Sequence, residues 1–587
     1  MALTHTLTSF KVFLGRVWAL AVPFFRSEQR WQARGLLAAI VALNLAAVYM
    51  LVLLNDWNRL FYDALQDRKE DVFWRELLRF GYLAFGFIVI AVYRFYLTQL
   101  LEVRWRAWMT RHTLGRWLSD QRFYRMELAR YGGASQGASP DNPDQRIQED
   151  LKLFTSYSVS LSMGLLNAVV TLLSFVGILW SLSGEMVFTL GGQSYSIEGF
   201  MVWMAVIYCA AGSLITHYIG RPQIALNFMQ QRHEADFRHH LVRVREHSEA
   251  IALDGGQAVE REQLDLRFSR VLSNYLLLLK KQKNLVWFTN FFGQAAMVFP
   301  FVVAAPRFFS GAIALGQLMQ IASAFGRVQD ALSWFVENYS TLAAWRATTD
   351  RLTSFEAAMA LRRSDALALQ EGTAPAAHGL DLALPDGRLL LAGVDIELAA
   401  GDSVLLQGPS GSGKSTLFRA LAGIWPHAHG RIERPGDAMF MAQRPYFPDG
   451  SLRDALAYPE PASRYTDAQL EQALRDALLP ELASRLNDED AWGHKLSGGE
   501  QQRLAIARVL LKKPRWLFAD EATSALDEAA EQTLYARLLA QVRLSGGALV
   551  SIAHRPALAA FHPMRWQMLG GHSVGSPALY RLEQHRS

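Results

Sequence analysis

Cysteine is almost missing from the chain: Cys209 is the one example in 587 residues. A disulfide framework is therefore excluded, and so is a metal centre built on spaced cysteine ligands. Cys209 lies inside an apolar run (VIYCAAGS), which fits a reducing compartment or a membrane interior. Internal repeats and low-complexity tracts are absent as well. The N-terminal apolar stretch is broken by Arg16 and no small-residue cleavage site follows, so a cleavable signal is not expected. Charge of one sign is also scarce, with 59 Lys and Arg against 54 Asp and Glu for a net charge of +5. The basic residues fall in loops between apolar runs, as the positive-inside rule predicts, so no nucleic acid is expected as a partner.

Apolar residues are plentiful and unevenly spread. They make up 51% of the chain, and the mean hydropathy of +0.07 is high for a wholly soluble protein. A chain of this length is expected to hold two or three domains. The apolar runs concentrate before about residue 340 and reach the ~20 residues needed to span a bilayer. Six candidate spans are expected at about 35–55, 79–101, 159–183, 199–220, 285–305 and 315–338. Residues 1–34 alternate aromatic and basic groups and read as an amphipathic interfacial helix bent at Pro23.

Loop charge orients the spans. Nine Lys or Arg lie from Arg104 to Lys152 and eleven from Arg221 to Lys283, whereas 184–198 has none. Both long basic loops and the N-terminus are thus expected on the cytoplasmic side. The loop after the first span, with Arg59, Arg68, Lys69 and Arg75, runs against this rule. Helical periodicity persists through the long loops and fails around 360–379. The expected division is a six-span domain over 35–355, a linker over 356–379 and a second domain over 380–587.

The chemistry centres on Gly408-Pro409-Ser410-Gly411-Ser412-Gly413-Lys414-Ser415-Thr416, which fits the phosphate-binding pattern G-x-x-x-x-G-K-[ST]. An apolar strand pattern precedes it (Ser403 to Gln407) and helical spacing follows (Leu417 to Ala422). The loop therefore opens a helix whose N-terminal dipole favours anions. Lys414 is expected to reach the outer phosphates of a nucleoside triphosphate, and Ser415 with Asp520 to hold Mg²⁺. Asp520 ends the apolar run Trp516 to Ala519, which places it at a strand's C-terminal edge. Glu521 beside it is the candidate general base.

Further motifs follow in order: LSGGEQQR (Leu496 to Arg503), SALD (Ser524 to Asp527) and SIAHR (Ser551 to Arg555). Together with the phosphate loop these resemble the ABC-type ATPases. The resemblance implies that Ser497, Gly498 and Gly499 open a helix facing ATP held by a second subunit. It also implies that Asp527 lies on a loop at the dimer interface, that Gln443 senses Mg²⁺ and contacts the membrane domain, and that His554 touches the terminal phosphate. One departure stands out: Leu384 occupies the place of the usual adenine-stacking aromatic, which weakens the basis for ATP-over-GTP preference.

PFFRSEQRW (Pro23 to Trp31), LLNDWNRLFYDALQ (Leu53 to Gln66), NPDQRIQED (Asn142 to Asp150) and the run from Ala305 to Leu352 resemble the SbmA/BacA-type permeases. Here that permease is fused to an ATPase, as in YddA-like and mycobacterial BacA-related transporters. EAIALDGGQAVE (Glu249 to Glu260) resembles a motif of the subfamily D half-transporters. The resemblance implies an exporter-type α-helical membrane domain followed by an α/β ATPase. It also implies a homodimer in the inner or plasma membrane, and uptake of hydrophilic solutes such as peptides or cobalamin. An exporter of lipids or amphipathic compounds would carry the same motifs. A soluble ABC ATPase is disfavoured by the spans and by the single nucleotide site per chain.

Within the sixth span Arg327 and Asp330 share one helical face. Ionisable groups at bilayer depth are costly, so a role at the transport cavity is expected of them, with a structural ion pair as the alternative. Asn44, Asn290 and Gln294 read more simply as helix-joining polar residues.

Overall fold

A computed structural model describes residues 2–131, 142–183, 185–190, 193–360, 367–570 and 578–586. The chain divides into two compact units: residues 1–115 with 142–355, and residues 116–141 with 356–587.

The first unit is helical. Helix α1 (Ala2–Arg26) contains Pro23 without ending there, and the turn to α2 (Arg30–Gln66) falls at 27–29. The expected bend at Pro23 is therefore displaced by a few residues. Helix α3 (Glu70–Leu118) runs on into the second unit, where α4 (Arg122–Tyr131) follows. Back in the first unit come α5 (Leu151–Ser183), the hairpin β1 (Glu185–Leu190) and β2 (Gln193–Glu198), α6 (Phe200–Glu246), α7 (Gln257–Phe309), α8 (Leu315–Glu337) and α9 (Tyr339–Met359). Among the described residues, five helical segments are long and apolar enough to cross a membrane: Arg30–Gln66, Glu70–Ala129, Pro143–Ser183, Phe200–Glu246 and Gln257–Phe309. Helix α8, expected as the sixth span, has 23 residues but carries Arg327, Asp330 and three glutamines and falls short in apolarity.

Helix α8 nevertheless buries one side within this unit. Its Ile321, Ala324, Phe325 and Val328 bury against Phe175 and Leu179 of α5 and Ala205 of α6. At its N-terminus, Asp63 and Gln66 of α2 accept hydrogen bonds from the Gly316 (2.9 Å) and Leu315 (2.7 Å) amides, satisfying two otherwise orphaned donors. A side chain at Gly316 would meet the Arg59 carbonyl at 2.1 Å, so this approach of α2 to α8 requires glycine. At the other end of the unit Asp150, almost wholly buried in a π-helical turn, takes ion pairs from Arg146 and from Arg351 of α9. Each of these two junctions ties together a pair of the stretches that carry the permease resemblance.

The second unit is built on two larger sheets, with a short two-stranded pairing of 450–451 and 489–490 beside them. Strands β3 (Leu367–Glu371), β4 (Ala376–Ala383), β5 (Leu389–Glu397) and β7 (Ala428–Arg434) form one, in the order β3-β7-β4-β5. The other holds β6 (Ser403–Gln407), β8 (Ala438–Met441), β9 (Trp516–Asp520), β10 (Ala548–Ile552), β11 (Met564–Gly570) and β12 (Tyr580–Arg586), in the order β12-β11-β6-β10-β9-β8. Strands β6, β8, β9, β10 and β11 run parallel, and SVLL, WLFA and ALVSI are buried throughout because both faces of the sheet are covered. Helices α10 (Lys414–Leu421), α11 (Gly498–Lys512) and α12 (Glu528–Leu544) supply much of that cover.

Two boundaries differ from expectation. Strand β3 and the first residues of β4 lie within the anticipated linker 356–379 yet pair with β7 and β5. Their short, partly polar alternation hides them from a hydropathy reading. Residues 116–131, expected within the membrane domain, cluster with the ATPase, and Leu128 joins its hydrophobic core.

Candidate functional site

Parallel strands β6, β9 and β10 end side by side, so the loops beyond their C-terminal edges converge. The first is the phosphate loop, Gly408 to Gly413. Gly413 caps α10 at a left-handed φ of 95°, and a Cβ there would strike Leu390 at 2.8 Å. Only glycine lets the backbone turn this tightly and present its amides to an anion. Lys414 is buried, and its ammonium donates to the Gly408 and Pro409 carbonyls, both at 2.9 Å. Burial lowers its pKa, against the opposing pull of Glu521 and Asp520.

From β9 come the two acids. Burial raises the Asp520 pKa above the ordinary carboxylate value; the Ser415 hydroxyl works against that by hydrogen bonding to it, and Glu521 adds to it. A half-buried carboxylate joined to a hydroxyl at the start of a phosphate-loop helix fits a hard divalent cation with oxygen ligands. Glu521 adopts a left-handed φ of 47°, rare for a non-glycine residue, and its amide is fixed by the Ile552 carbonyl at 3.0 Å. Gln443 Nε2 donates to its Oε2 at 2.7 Å, and His554 Nε2 lies 3.2 Å from its Oε1. Gln443, Glu521 and His554, chosen from widely separated motifs, thus meet at one carboxylate. A carboxylate held by both oxygens is suited to orienting a water molecule.

The signature segment forms a separate surface feature. Ser497 caps α11, whose first residues are Gly498 and Gly499, and Glu500 accepts hydrogen bonds from both the amide and the hydroxyl of Ser497. Those bonds lower the Glu500 pKa. Asp527 caps α12 by accepting from the Ala530 amide at 2.9 Å, a local role compatible with any further contact. Leu384 sits in the turn between β4 and β5, half-buried against the core.

Gln502 escaped the sequence reading although it lies inside LSGGEQQR. Almost wholly buried, it donates to the Glu521 carbonyl (3.3 Å) and the Ser524 hydroxyl (3.0 Å) and accepts from the Ala525 amide (2.8 Å). It therefore ties the signature helix to the segment that follows Glu521. A polar residue on the otherwise apolar face of α11 was the available signal.

In the membrane unit, Arg327 and Asp330 are both exposed on α8, opposite its buried face, and no ion pair joins them among the described residues. Arg94, in the second span, was not singled out from the sequence; its guanidinium donates to Asn44 Oδ1 at 3.3 Å. Asn290 bonds only along its own helix among the described contacts.

The architecture and the site together define a membrane-spanning domain driven by a phosphate-loop ATPase. The family model described as ABC transporter transmembrane region 2 matches residues 20–309, and that described as ABC transporter matches residues 391–524. The chain is 34% identical over 552 residues to the inner membrane ABC transporter ATP-binding protein YddA of Escherichia coli (strain K12), covering 94% of this chain and 96% of that one. It is 27% identical over 528 residues to the lysosomal cobalamin transporter ABCD4 of Mus musculus, covering 82% of each. A bacterial Atm1-family ABC exporter solved with ATP bound shares the fold, with a TM-score of 0.71 over 96% of both chains at 19% identity. The chain belongs to the ABC transporter family. It is a half-transporter with its membrane domain fused to an ATP-binding, ATP-hydrolysing domain.

Proposed function

We propose that the chain acts as a homodimer that imports hydrophilic solutes, of the peptide or cobalamin kind, across an inner or plasma membrane. The ATPase domain and N-terminus lie in the cytoplasm in this reading, and α8 serves as the sixth crossing. The carrying observation is the exposed polar face of α8, where Arg327 and Asp330 stand unpaired by one another. Ionisable groups that the surrounding helices do not bury suit a water-filled passage for a polar solute. The likeness to a protein named as a cobalamin transporter supports the same solute class.

The nucleotide chemistry divides between two chains. Backbone amides of 408–413, with Lys414 and Thr416, hold the phosphates of ATP, while Ser415, Asp520 and Gln443 accommodate Mg²⁺, which neutralises phosphate charge when bound. Glu521 orients the attacking water, kept in place by Gln443 and His554. Ser497, Gly498 and Gly499 of one chain close over the site of the other, since each chain carries one signature helix and one phosphate loop. Hydrolysis then resets the access of the passage.

Export of lipids or amphipathic compounds is the second reading, favoured by the likeness to an exporter fold. Accumulation of labelled cobalamin and of a labelled proline-rich peptide, in cells lacking their own uptake systems, separates the two. Greater accumulation with the wild type than with Glu521→Gln at equal membrane levels is the expected result. Efflux of a labelled amphiphile dependent on Glu521, with no solute gain, would overturn import. Unchanged uptake by Arg327→Ala/Asp330→Ala at equal expression would remove the passage role of that face.

A further inference from the structure

A cleft of about 920 Å³ opens within the ATPase unit, away from the phosphate loop. One wall is the end of α3 with the turn and helix that follow it, bearing Arg116, Arg122 and Arg125; the other includes 423–426 and Arg434 of the ATPase sheet domain. Its size is that of a small-molecule site.

Charge is the unusual feature. Four guanidinium groups line the cleft against one lining carboxylate, Asp120. Arg116 pairs with Glu356, Arg122 with Asp120 at 3.1 Å, and Arg125 donates to the Asp120 carbonyl at 2.7 Å. Arg434 donates to the Ala422 carbonyl, at the C-terminal end of α10. Each guanidinium has five N–H donors, and among the described contacts each commits only one nitrogen to the chain. Asp120 and Gln121 both take left-handed φ angles, 52° and 56°, so the turn that sets Arg122 and Arg125 is held in a costly conformation. Structural arginines are ordinarily matched by carboxylates; among the described contacts Asp120 and Glu356 are the two carboxylates that pair with these four.

We propose that this cleft binds a soluble, multiply charged phosphate compound, and that its occupancy fastens the first cytoplasmic loop to the ATPase. Guanidinium forks match phosphate oxygens bidentately, and several forks converging on one space favour a polyphosphate over a single carboxylate. A lipid headgroup offers the same phosphate chemistry but is out of reach. Arg116 lies fifteen residues along α3 beyond the expected span end at 101, about 22 Å of helix, whereas the headgroup layer is only about 5–7 Å deep. The ligand would also sit at the far end of α10, the helix that begins at the phosphate loop. It would thereby bridge a loop leading from the membrane helices to the element that holds ATP.

The test is titration calorimetry on the full-length protein in nanodiscs, with inorganic tripolyphosphate as the probe and Lys414→Ala as background to weaken the phosphate loop. Saturable binding at one site per chain is expected, weakened at least tenfold by Arg122→Ala/Arg125→Ala in the same background. Citrate is expected to bind at least tenfold more weakly. Equal melting midpoints of the two variants establish that folding is intact; should the double variant melt lower, Arg122→Lys/Arg125→Lys, which keeps charge and loses the forks, takes its place. Absence of saturable binding to the Lys414→Ala protein, or equal affinity with and without the arginines, would overturn the site. Citrate binding as well as tripolyphosphate would overturn the phosphate assignment. Loss of tripolyphosphate binding when anionic phospholipid is added to the nanodiscs would transfer the cleft to lipid and overturn the soluble ligand.

Discussion

The two units of the chain bury their apolar residues to very different extents. In the ATPase unit the large apolar side chains are almost all enclosed; Leu118, Phe123, Tyr446, Tyr458 and Leu544 are the exposed examples among the described residues. The membrane unit leaves Leu173, Tyr218, Trp287 and Phe309 more than 70% exposed, and no residue of the most apolar window of the second span is buried. An aqueous domain must finish its core with its own residues. A membrane domain has acyl chains for solvent and gains little from covering leucine with leucine. Polar joints therefore hold the membrane unit together: Asp63 and Gln66 on the α8 amides, Arg94 on Asn44, and Asp150 between two arginines. The ATPase also places polar joints in its core, and one of them, Gln502, serves the geometry of the site.

The largest expected effect separates chemistry from architecture. Glu521→Gln keeps the hydrogen-bonding shape of the side chain but removes the charge that orients water. Steady-state ATP hydrolysis is expected to fall by about 10²–10⁴, with nucleotide affinity within a few-fold of wild type. Hydrolysis within tenfold of wild type would refute the assignment. Neither unit should melt differently, because this carboxylate is partly exposed and holds no core.

Asp150→Asn probes the membrane unit's dependence on polar joints. It leaves two arginines beside a neutral amide in a buried turn, and removing one partner of a buried pair costs about 3–5 kcal/mol. Calorimetry in detergent should show the membrane transition shifted down and the ATPase transition unmoved. Equal shifts of both would break the contrast between the units. A smaller loss is expected at Gln502→Ala, which orphans the Ala525 amide and frees the Ser524 and Glu521 backbone region. About 1–3 kcal/mol of ATPase stability should go, and hydrolysis should fall about tenfold more than ATP binding does. If hydrolysis stays at the wild-type rate while stability falls, Gln502 is a packing residue alone.

Legibility in the sequence followed the range of the interaction. Strand, phosphate loop and helix are contiguous from Ser403 to Leu421, so local pattern suffices to place them. Asp520 at the end of β9 was likewise readable from one apolar run. The meeting of Gln443, Glu521 and His554 needs three strands in register, and only the family resemblance put those residues in one list. Strand β3 was missed because three of its five residues are exposed on a short edge, where alternation is weak. The attachment of residues 116–131 to the ATPase was invisible for another reason: an amphipathic helix records that it has a partner, not which one. Arg94 was overlooked because one charge among aromatic residues barely lowers a window's hydropathy, yet in the structure it supplies a joint to Asn44.

The finest test of the contrast uses pH. His562 is buried in the ATPase, with Nδ1 2.8 Å from the Ser403 hydroxyl and Nε2 2.7 Å from the Tyr535 hydroxyl. Burial holds its pKa down to about 4, against the ordinary 6.5, and a backbone hydrogen bond with Ser403 offsets only part of that. Between those two values the unfolded chain binds a proton that the folded chain refuses, so ATPase stability is complete above pH 6.5 and declines as pH falls towards 4. From pH 7.5 to 5.5 this one group should remove about 1 kcal/mol, a fall of about 2–4 °C in the ATPase midpoint. His562→Gln abolishes the titration while keeping a donor and an acceptor, and should remove that increment of the pH slope even if it lowers stability at every pH. The membrane transition should keep its own pH profile in both proteins. A slope identical in wild type and variant would mean that the buried imidazole is already matched in the unfolded chain, and that the acid sensitivity of the ATPase resides elsewhere.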